Sequence, residues 1–341
     1  MSDRNSSRSR SIGVEIIGSA HGLPDKIVTN ADLEKCMDTS DEWIVKRTGI
    51  KERRQADTEN GELTSSLAIK ALSGAISDAG IDVTDLDMLL VATMTPDMPT
   101  PSVACVVARK IGAGNIAAMD INAACSGFIY TISLASALVE SGMYGTIGVI
   151  GADTLSRHVD YSTEGRGAAI LFGDAAAALI VRKTDDTSKG LIAHRMHTDG
   201  AGSKHLYIPS TKFDIPEGTE FDQNMCGLVQ MNGQAVFKFA VSKFQQVIAD
   251  TLDDAGLTAD DVDHFVCHQA NSRILDAARD RFGIPEEKLL KNIHKYGNTV
   301  AASAPLVFAE LAESGQIKPG QRIMFLAFGA GLTWGSSLWQ L

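Results

Sequence analysis

Apolar residues recur along this chain with two different periods. Phe128, Ile129, Ile132, Ala135, Leu138 and Val139 fall at helical spacing and stop before Gly142, which predicts a helix opening near Ser126. Just upstream, residues 116–122 read as a strand. Residues 262–267 predict a short buried strand, followed by a helical pattern from about Asn271 to Arg281 that Gly283 and Pro285 close. A third unit places a strand near Ile293, a turn at Gly297 and Asn298, and a helix after Ser303. Pro305 stands early in that helix, where its missing N–H costs little. Strand and helix patterns alternate in this way throughout, as α/β layering requires.

The pattern is also written twice. AGIDVTDLDMLLVA, starting at Ala79, lines up with AGLTADDVDHFVCH, starting at Ala255, at an offset of 176 residues. LVESGMYGTIGVIGAD and LAESGQIKPGQRIMFLAF match at Gly142 and Gly315, 173 apart. Two matches in the same order at nearly one offset indicate a duplicated half, the first from about Val14 to Val181 and the second from about Gly190 to Leu341. The chain therefore divides into a tail at 1–11, an N-terminal half at 12–184 and a C-terminal half at 185–341. No Pro/Gly/Ser-rich linker separates the halves, so they are expected to share a core. Counting back 17 residues from Gly142 and from Gly315 reaches Cys125 and Asn298, which makes those two equivalent positions on this reading.

Composition narrows the partners. With 44% hydrophobic and 21% charged residues, the chain has the make-up of an ordered globular protein. Its net charge of −11 repels nucleic acid and anionic membrane surfaces, so an acidic partner needs a local basic patch. MSDRNSSRSRS has no apolar segment behind it, and the apolar run 168–181 is short and broken by Gly173 and Asp174, so neither a signal peptide nor a membrane span is expected. Cys36, Cys105, Cys125, Cys226 and Cys267 are odd in number and form no CxxC, which argues against a disulfide framework or zinc site and for a reducing cytoplasm.

Three positions can carry chemistry. Cys125, in NAACSGFIY, lies at a helix start, where unpaired N–H groups and the macrodipole favour a thiolate. Ala123, Ala124, Ser126 and Gly127 leave a substrate room to approach it. His268 stands on a strand-to-helix turn in HFVCHQANSRI; His264 shares its side of the strand while Cys267 faces away, a poor arrangement for a metal. Asn298, in KYGNTVAASAP, offers a neutral amide donor on a loop. The Gly-rich stretch AFGAGLTWG, residues 327–335, can bring backbone N–H groups close to a ligand. Each also has a plain structural reading: a core cysteine, a satisfied histidine, a turn-forming asparagine. Neither GxGxxG after a first strand nor GxxxxGK[ST] occurs, so a nucleotide phosphate cradle is not indicated.

Together, TSDEWIVKRTGI, NAACSGF, RGAAILFGD, MNGQAVFKFAV, HQANSRI, YGNT, IKPGQ and FGAGLTWG resemble the β-ketoacyl-acyl-carrier-protein synthase III family, the condensing enzymes that start bacterial fatty acid synthesis. The resemblance runs from about Ile12 to Leu341. It implies a thiolase-like α/β fold, with two duplicated halves in a five-layer αβαβα sandwich, and a homodimer. It implies an acyltransferase that condenses an acyl-CoA primer with malonyl-acyl carrier protein, without cofactor or metal. Carried onto this sequence, the family's triad is Cys125, His268 and Asn298, with the amides of Cys125 and Ala330 as oxyanion hole. Trp43, Arg47 and Arg166 are implied at the nucleotide end of CoA, and Gly233, Phe237, Ala270 and Asn271 along the pantetheine channel. Lys238, Gln269, Arg273 and Arg281 are implied contacts of the carrier protein. The chain departs from the family pattern at Ala330, where Gly is usual and a positive φ would cost an alanine about 1–2 kcal/mol, at Val300 after GNT, and at Ala175 after FGD. The competing readings are an acyltransferase using another acceptor, a polyketide or other secondary-metabolite starter enzyme using malonyl-CoA, and a non-catalytic acyl-CoA-binding module.

Overall fold

Residues Met88–Ala92 and Thr146–Asp153 are buried at every position, as strands covered by helices on both faces must be. A computed structural model describes residues 11–341; the tail expected at 1–11 lies, but for its last residue, outside the described residues. The N-terminal half holds β1 (Gly13–Gly22), β2 (Ile27–Thr29), β3 (Glu52–Arg54), β4 (Met88–Ala92), β5 (Ala117–Ile121), β6 (Thr146–Asp153) and β7 (Ala175–Thr184). Its helices are α1 (Asn30–Leu33), α2 (Asp41–Thr48), α3 (Thr64–Ala79), α4 (Val103–Ile111), α5 (Gly127–Glu140) and α6 (Arg166–Ala169). The C-terminal half holds β8 (Gly190–Thr198), β9 (Leu206–Tyr207), β10 (Gln230–Met231), β11 (His264–Cys267), β12 (Arg322–Gly329) and β13 (Thr333–Gln340). Its helices are α7 (Gly233–Ala255), α8 (Ser272–Phe282), α9 (Ile293–Tyr296) and α10 (Ser303–Glu313).

Two mixed sheets form, with strand orders β1-β7-β6-β4-β5 and β11-β12-β13-β8. Leu67 and Leu72 of α3 and Val107 of α4 cover one face of the first sheet, against Leu89, Ile150 and Ile180. Phe244 and Ile248 of α7 and Leu275 of α8 cover the outer face of the second, against Phe265 and Met324. Between the sheets, Phe128, Ile132 and Val139 of α5 and Val307 and Phe308 of α10 pack with Val149, Phe325 and Trp339 in one cluster. Each such side chain contributes about 1.5–3 kcal/mol on burial, so this shared layer holds the halves together without a linker. The result is the five-layer thiolase-like sandwich.

The repeat is sharper in the structure than in the sequence. β4 and β11 begin 176 residues apart (Met88 and His264), as do β6 and β12 (Thr146 and Arg322) and α5 and α10 (Gly127 and Ser303). The 3₁₀ turns that feed the two central helices, Ala124–Ser126 and Val300–Ala302, keep the same offset and open on the positive-φ residues Ala124 (46°) and Val300 (52°). The offset of 173 at Gly142 and Gly315 arises because α10 is three residues shorter than α5 and the connection after it three longer. Counting back from those glycines therefore misaligns the halves. The counterpart of Cys125 is Ala301, and that of Asn298 is Asn122. A second expectation also changes: the counterpart of β5 would begin at residue 293, where the chain forms the single turn α9 instead of a strand.

The halves meet reciprocally at these turns. A Cβ on Gly151 of β6 would lie 2.4 Å from the carbonyl oxygen of Ala301, and one on Gly329 of β12 would lie 2.7 Å from the amide nitrogen of Cys125. Each strand's end is thus pressed backbone to backbone against the helix-start turn of the other half.

Candidate active site

Cys125 sits in the 3₁₀ turn between β5 and α5, preceded by Ala124 in the left-handed region. His268 follows β11, its main-chain N–H donating to the Leu326 carbonyl at 2.7 Å; Phe328 meets its ring edge-on at 5.5 Å. Asn298 is pinned through its backbone, donating to the Leu171 carbonyl at 2.8 Å and accepting from Gly173 N–H at 3.0 Å. Its carboxamide oxygen accepts the Val300 N–H at 2.9 Å, which leaves the NH₂ group for a ligand. That bond gives Val300 a part in the site. A β-branched residue in the left-handed region costs about 1–2 kcal/mol, and here the turn directs an amide at Asn298.

The three side chains line one cavity of about 520 Å³, together with Phe328 and Gly329. Gly233, Phe237, Ala270 and Asn271 line it too, as do Trp43, Arg47 and Arg273, which with Lys46 also line a second cavity. A smaller apolar void of about 30 Å³ adjoins Cys125 and is walled by Met94, Phe172, Ile208 and Ala330.

Local structure explains this cationic group. Ser40 Oγ caps α2 by accepting from Trp43 N–H at 3.2 Å, and the helix then carries Trp43 and Arg47 one turn apart on the same face. Arg47 lies 4.4 Å over the Trp43 ring and Arg166 5.4 Å, while Arg166 Nη1 donates to the Asp38 carbonyl at 2.6 Å. Lys46 shares that face at i+3 from Trp43 and lines the second cavity with Arg47 and Arg273. Sequence reading passed over Lys46, although its helical spacing marks it. Asn271 Oδ1 accepts from Arg273 N–H at 3.0 Å, capping α8, and Nδ2 donates to the Arg47 carbonyl at 3.0 Å, so it joins α8 to α2 while lining the channel.

Two expectations need correction. Gln269 is 1% exposed. Its Nε2 donates to the Cys267 and Leu290 carbonyls and its Oε1 accepts from Asn292 and Ile293 N–H groups, at 3.1–3.3 Å. It braces the site from inside and cannot touch a docked protein. At Ala330 the expected cost does not arise, because the positive φ falls on Gly331 (131°). Thr333 Oγ1 lies 3.0 Å from the Ala330 carbonyl oxygen and 3.2 Å from that of Ala123, which ties this loop to the cysteine turn. The structure gives no account of Ala175, which is buried at the start of β7.

The ionisation expected of Cys125 is also reversed at rest. A helix N-terminus contributes up to about 2 kcal/mol, or about 1.5 pKa units, toward the thiolate. Burial acts the other way and pushes the Cys125 thiol up to about 12, with the Asp153 charge adding to it. Burial likewise holds His268 down to about 3, against the Val300 backbone, which favours the charged ring. The resting pair is a thiol and a neutral imidazole.

Residues 119–200 match the family described as 3-oxoacyl-[acyl-carrier-protein (ACP)] synthase III, and residues 252–341 match its C-terminal part. Over 96% of this chain, 46% of residues are identical to the β-ketoacyl-[acyl-carrier-protein] synthase III of Caldanaerobacter subterraneus subsp. tengcongensis, covering 97% of that protein. The chain belongs to the synthase III family. A Bacillus anthracis synthase III is 44% identical over 95% of this chain and 98% of its own. Among solved structures, the synthase III of Thermus thermophilus superposes with a TM-score of 0.89 at 40% identity, covering 96% of this chain and 98% of that one. The five layers and the duplicated halves are therefore those of a synthase III.

Proposed function

We infer that this synthase III is an acyltransferase that condenses an acyl-CoA primer with malonyl-acyl carrier protein, yielding 3-oxoacyl-carrier protein, CoA and CO₂ and so initiating fatty acid synthesis. The observation that carries this is the single cavity in which a cysteine, an imidazole and a free carboxamide NH₂ meet, and which Trp43, Arg47 and Arg273 also line. Cys125 sulfur attacks the thioester carbonyl of the primer, and the backbone N–H groups of Cys125 and Ala330 receive the oxyanion. CoA departs carrying the thiol's proton, leaving an acyl-enzyme.

The second half-reaction explains why a neutral histidine is useful. This half-reaction takes the neutral ring with its one proton on Nε2. That N–H and Nδ2–H of Asn298 hold the thioester oxygen of the malonyl group as CO₂ leaves and an enolate forms. The enolate carbon attacks the acyl group on Cys125, and the sulfur is released. Transfer to an amine or alcohol acceptor needs no enolate donors, so the paired N–H groups favour condensation.

Trp43, Arg47 and Arg166 are assigned to the nucleotide of CoA, with Gly233, Phe237, Ala270 and Asn271 along the pantetheine arm. Lys238, Arg273 and Arg281, all exposed on α7 and α8, are assigned to the acidic carrier protein. No cofactor or metal takes part in this scheme. Among the described residues no helix is long and apolar enough to cross a membrane, and all five cysteines are free, which suits a reducing cytoplasm. The two-copy assembly implied by the family is assigned to the β5 edge. This strand pairs only with β4 and leaves Met119 44% exposed, the kind of edge a second copy covers. Sedimentation is expected to give twice the chain mass, and Met119→Lys to lower it; a monomeric wild type overturns the assignment.

The decisive assay follows labelled CO₂ from malonyl-carrier protein after Cys125 has been acylated. His268→Ala and Asn298→Ala are each expected to lower CO₂ release by roughly 10²- to 10³-fold, while acyl-enzyme formation persists. An acyl-enzyme that releases no CO₂ in the wild type would overturn the condensation reading.

A further inference from the structure

Asp153 ends β6 with its side chain wholly buried, and the scheme above gives it no task. Among the described residues no cationic side chain forms an ion pair with it. Oδ1 accepts from Met94 N–H at 2.9 Å, Thr95 N–H at 3.2 Å, Thr95 Oγ1 at 2.8 Å and Thr93 Oγ1 at 3.2 Å. Oδ2 accepts from Ala301 N–H at 3.1 Å, in the other half of the molecule. A carboxylate buried without a cation is costly even when hydrogen-bonded, and burial raises this one to about 6.

The Ala301 bond reaches into the site. Ala301 follows Val300, whose amide orients the Asn298 carboxamide from a left-handed φ of 52°. The carboxylate thus grips the turn one residue beyond the one that aims Asn298. Its charge also bears on the nucleophile, where it opposes ionisation of Cys125. We propose that Asp153 is a positioning residue for decarboxylation: it holds the Val300–Ala302 turn so that Asn298 faces the malonyl thioester, at some expense to the reactivity of Cys125. The proposal rests on the decarboxylative reading given above.

Asp153→Asn tests it because it changes one atom. If the new amide keeps its oxygen toward the four donors on Thr93, Met94 and Thr95, its NH₂ confronts Ala301 N–H, and two donors face each other. The turn must shift, and Asn298 with it. CO₂ release from malonyl-carrier protein on pre-acylated enzyme is expected to fall by about 10²-fold, the cost of roughly an ångström of misplacement. Acylation of Cys125 by acyl-CoA, followed by intact mass, is expected to stay equal or to rise, since a charge that opposes ionisation of the sulfur has gone. A merely structural residue would lower both half-reactions together.

Thr95→Val removes one donor to Oδ1 and keeps the charge; it is expected to give the same one-sided loss at smaller size, and it carries the test if circular dichroism shows Asp153→Asn unfolded. Equal losses in both half-reactions, or unchanged decarboxylation in a folded variant, overturn the proposal. A wild type that forms the acyl-enzyme but releases no CO₂ overturns instead the reading on which it rests.

Discussion

Cys125→Ala is expected to yield a folded protein that never gains the mass of an acyl group when exposed to acyl-CoA. Losing a covalent nucleophile costs on the order of 10⁶-fold in turnover, and condensation should fall to background. Stability should change little: the substitution removes one heavy atom from a residue that already borders the cavity, worth about 1 kcal/mol on the scale of a buried methylene. The control is internal. Cys267 is also buried, but it lies within the core cluster of α7, α8 and the second sheet, and its Sγ–H is directed at the Phe265 carbonyl. Cys36 and Cys105 are exposed and line neither the main cavity nor the void beside it. Intact-mass analysis of wild type and variant after exposure to acyl-CoA checks this. An adduct that survives in Cys125→Ala would assign the chemistry to another nucleophile and remove the basis for the rest of the mechanism.

What the sequence disclosed and what it withheld divide along a physical line. Periodicity and punctuation located the helix start at Cys125 and the strand-to-helix turn at His268, because caps, glycines and apolar spacing act locally. The 176-residue repeat was visible for the same reason. The match at Gly142 and Gly315 misled because a helix can lose three residues and the next loop regain them, which no count along one dimension registers. Gln269 was assigned to a docking surface because the family resemblance implied it there. In the fold its amide is consumed by four backbone groups, a fact that depends on α9 and the segment after α8 closing over it. The charge state of Cys125 went astray because the helix terminus was legible and the burial was not. Asp153 and Lys46 lay within quoted stretches but were not singled out: the first matters through a bond to the other half, the second through sharing a helix face with Trp43 and Arg47.

Gly329→Ala is expected to lower condensation by about 10²-fold or more while the protein stays folded. The added Cβ would stand 2.7 Å from the Cys125 amide nitrogen, 3.0 Å from its Cβ and 3.2 Å from its Cα. Two of these are backbone atoms held in the turn, so no side-chain rotation relieves the contact, and the cysteine turn and the strand end must separate. Overpacking of this kind typically costs about 1–3 kcal/mol, which a chain with this much shared core can absorb. The β12–β13 ladder that pairs Gly329 with Thr333 anchors one side, so the displacement falls on the Cys125 turn, where an ångström at a reacting group costs about 10²-fold. Gly329 is absent from the positive-φ positions, whereas Gly331 is among them, so the penalty is steric and not torsional. The neighbouring change supplies the comparison. Ala330 already carries a Cβ without strain, and Ala330→Gly is expected to stay within a few-fold of wild type. Melting temperature and steady-state condensation rates of the two variants check the pair; a fully active Gly329→Ala would show that the close approach of the two halves at this point is not what fixes the nucleophile.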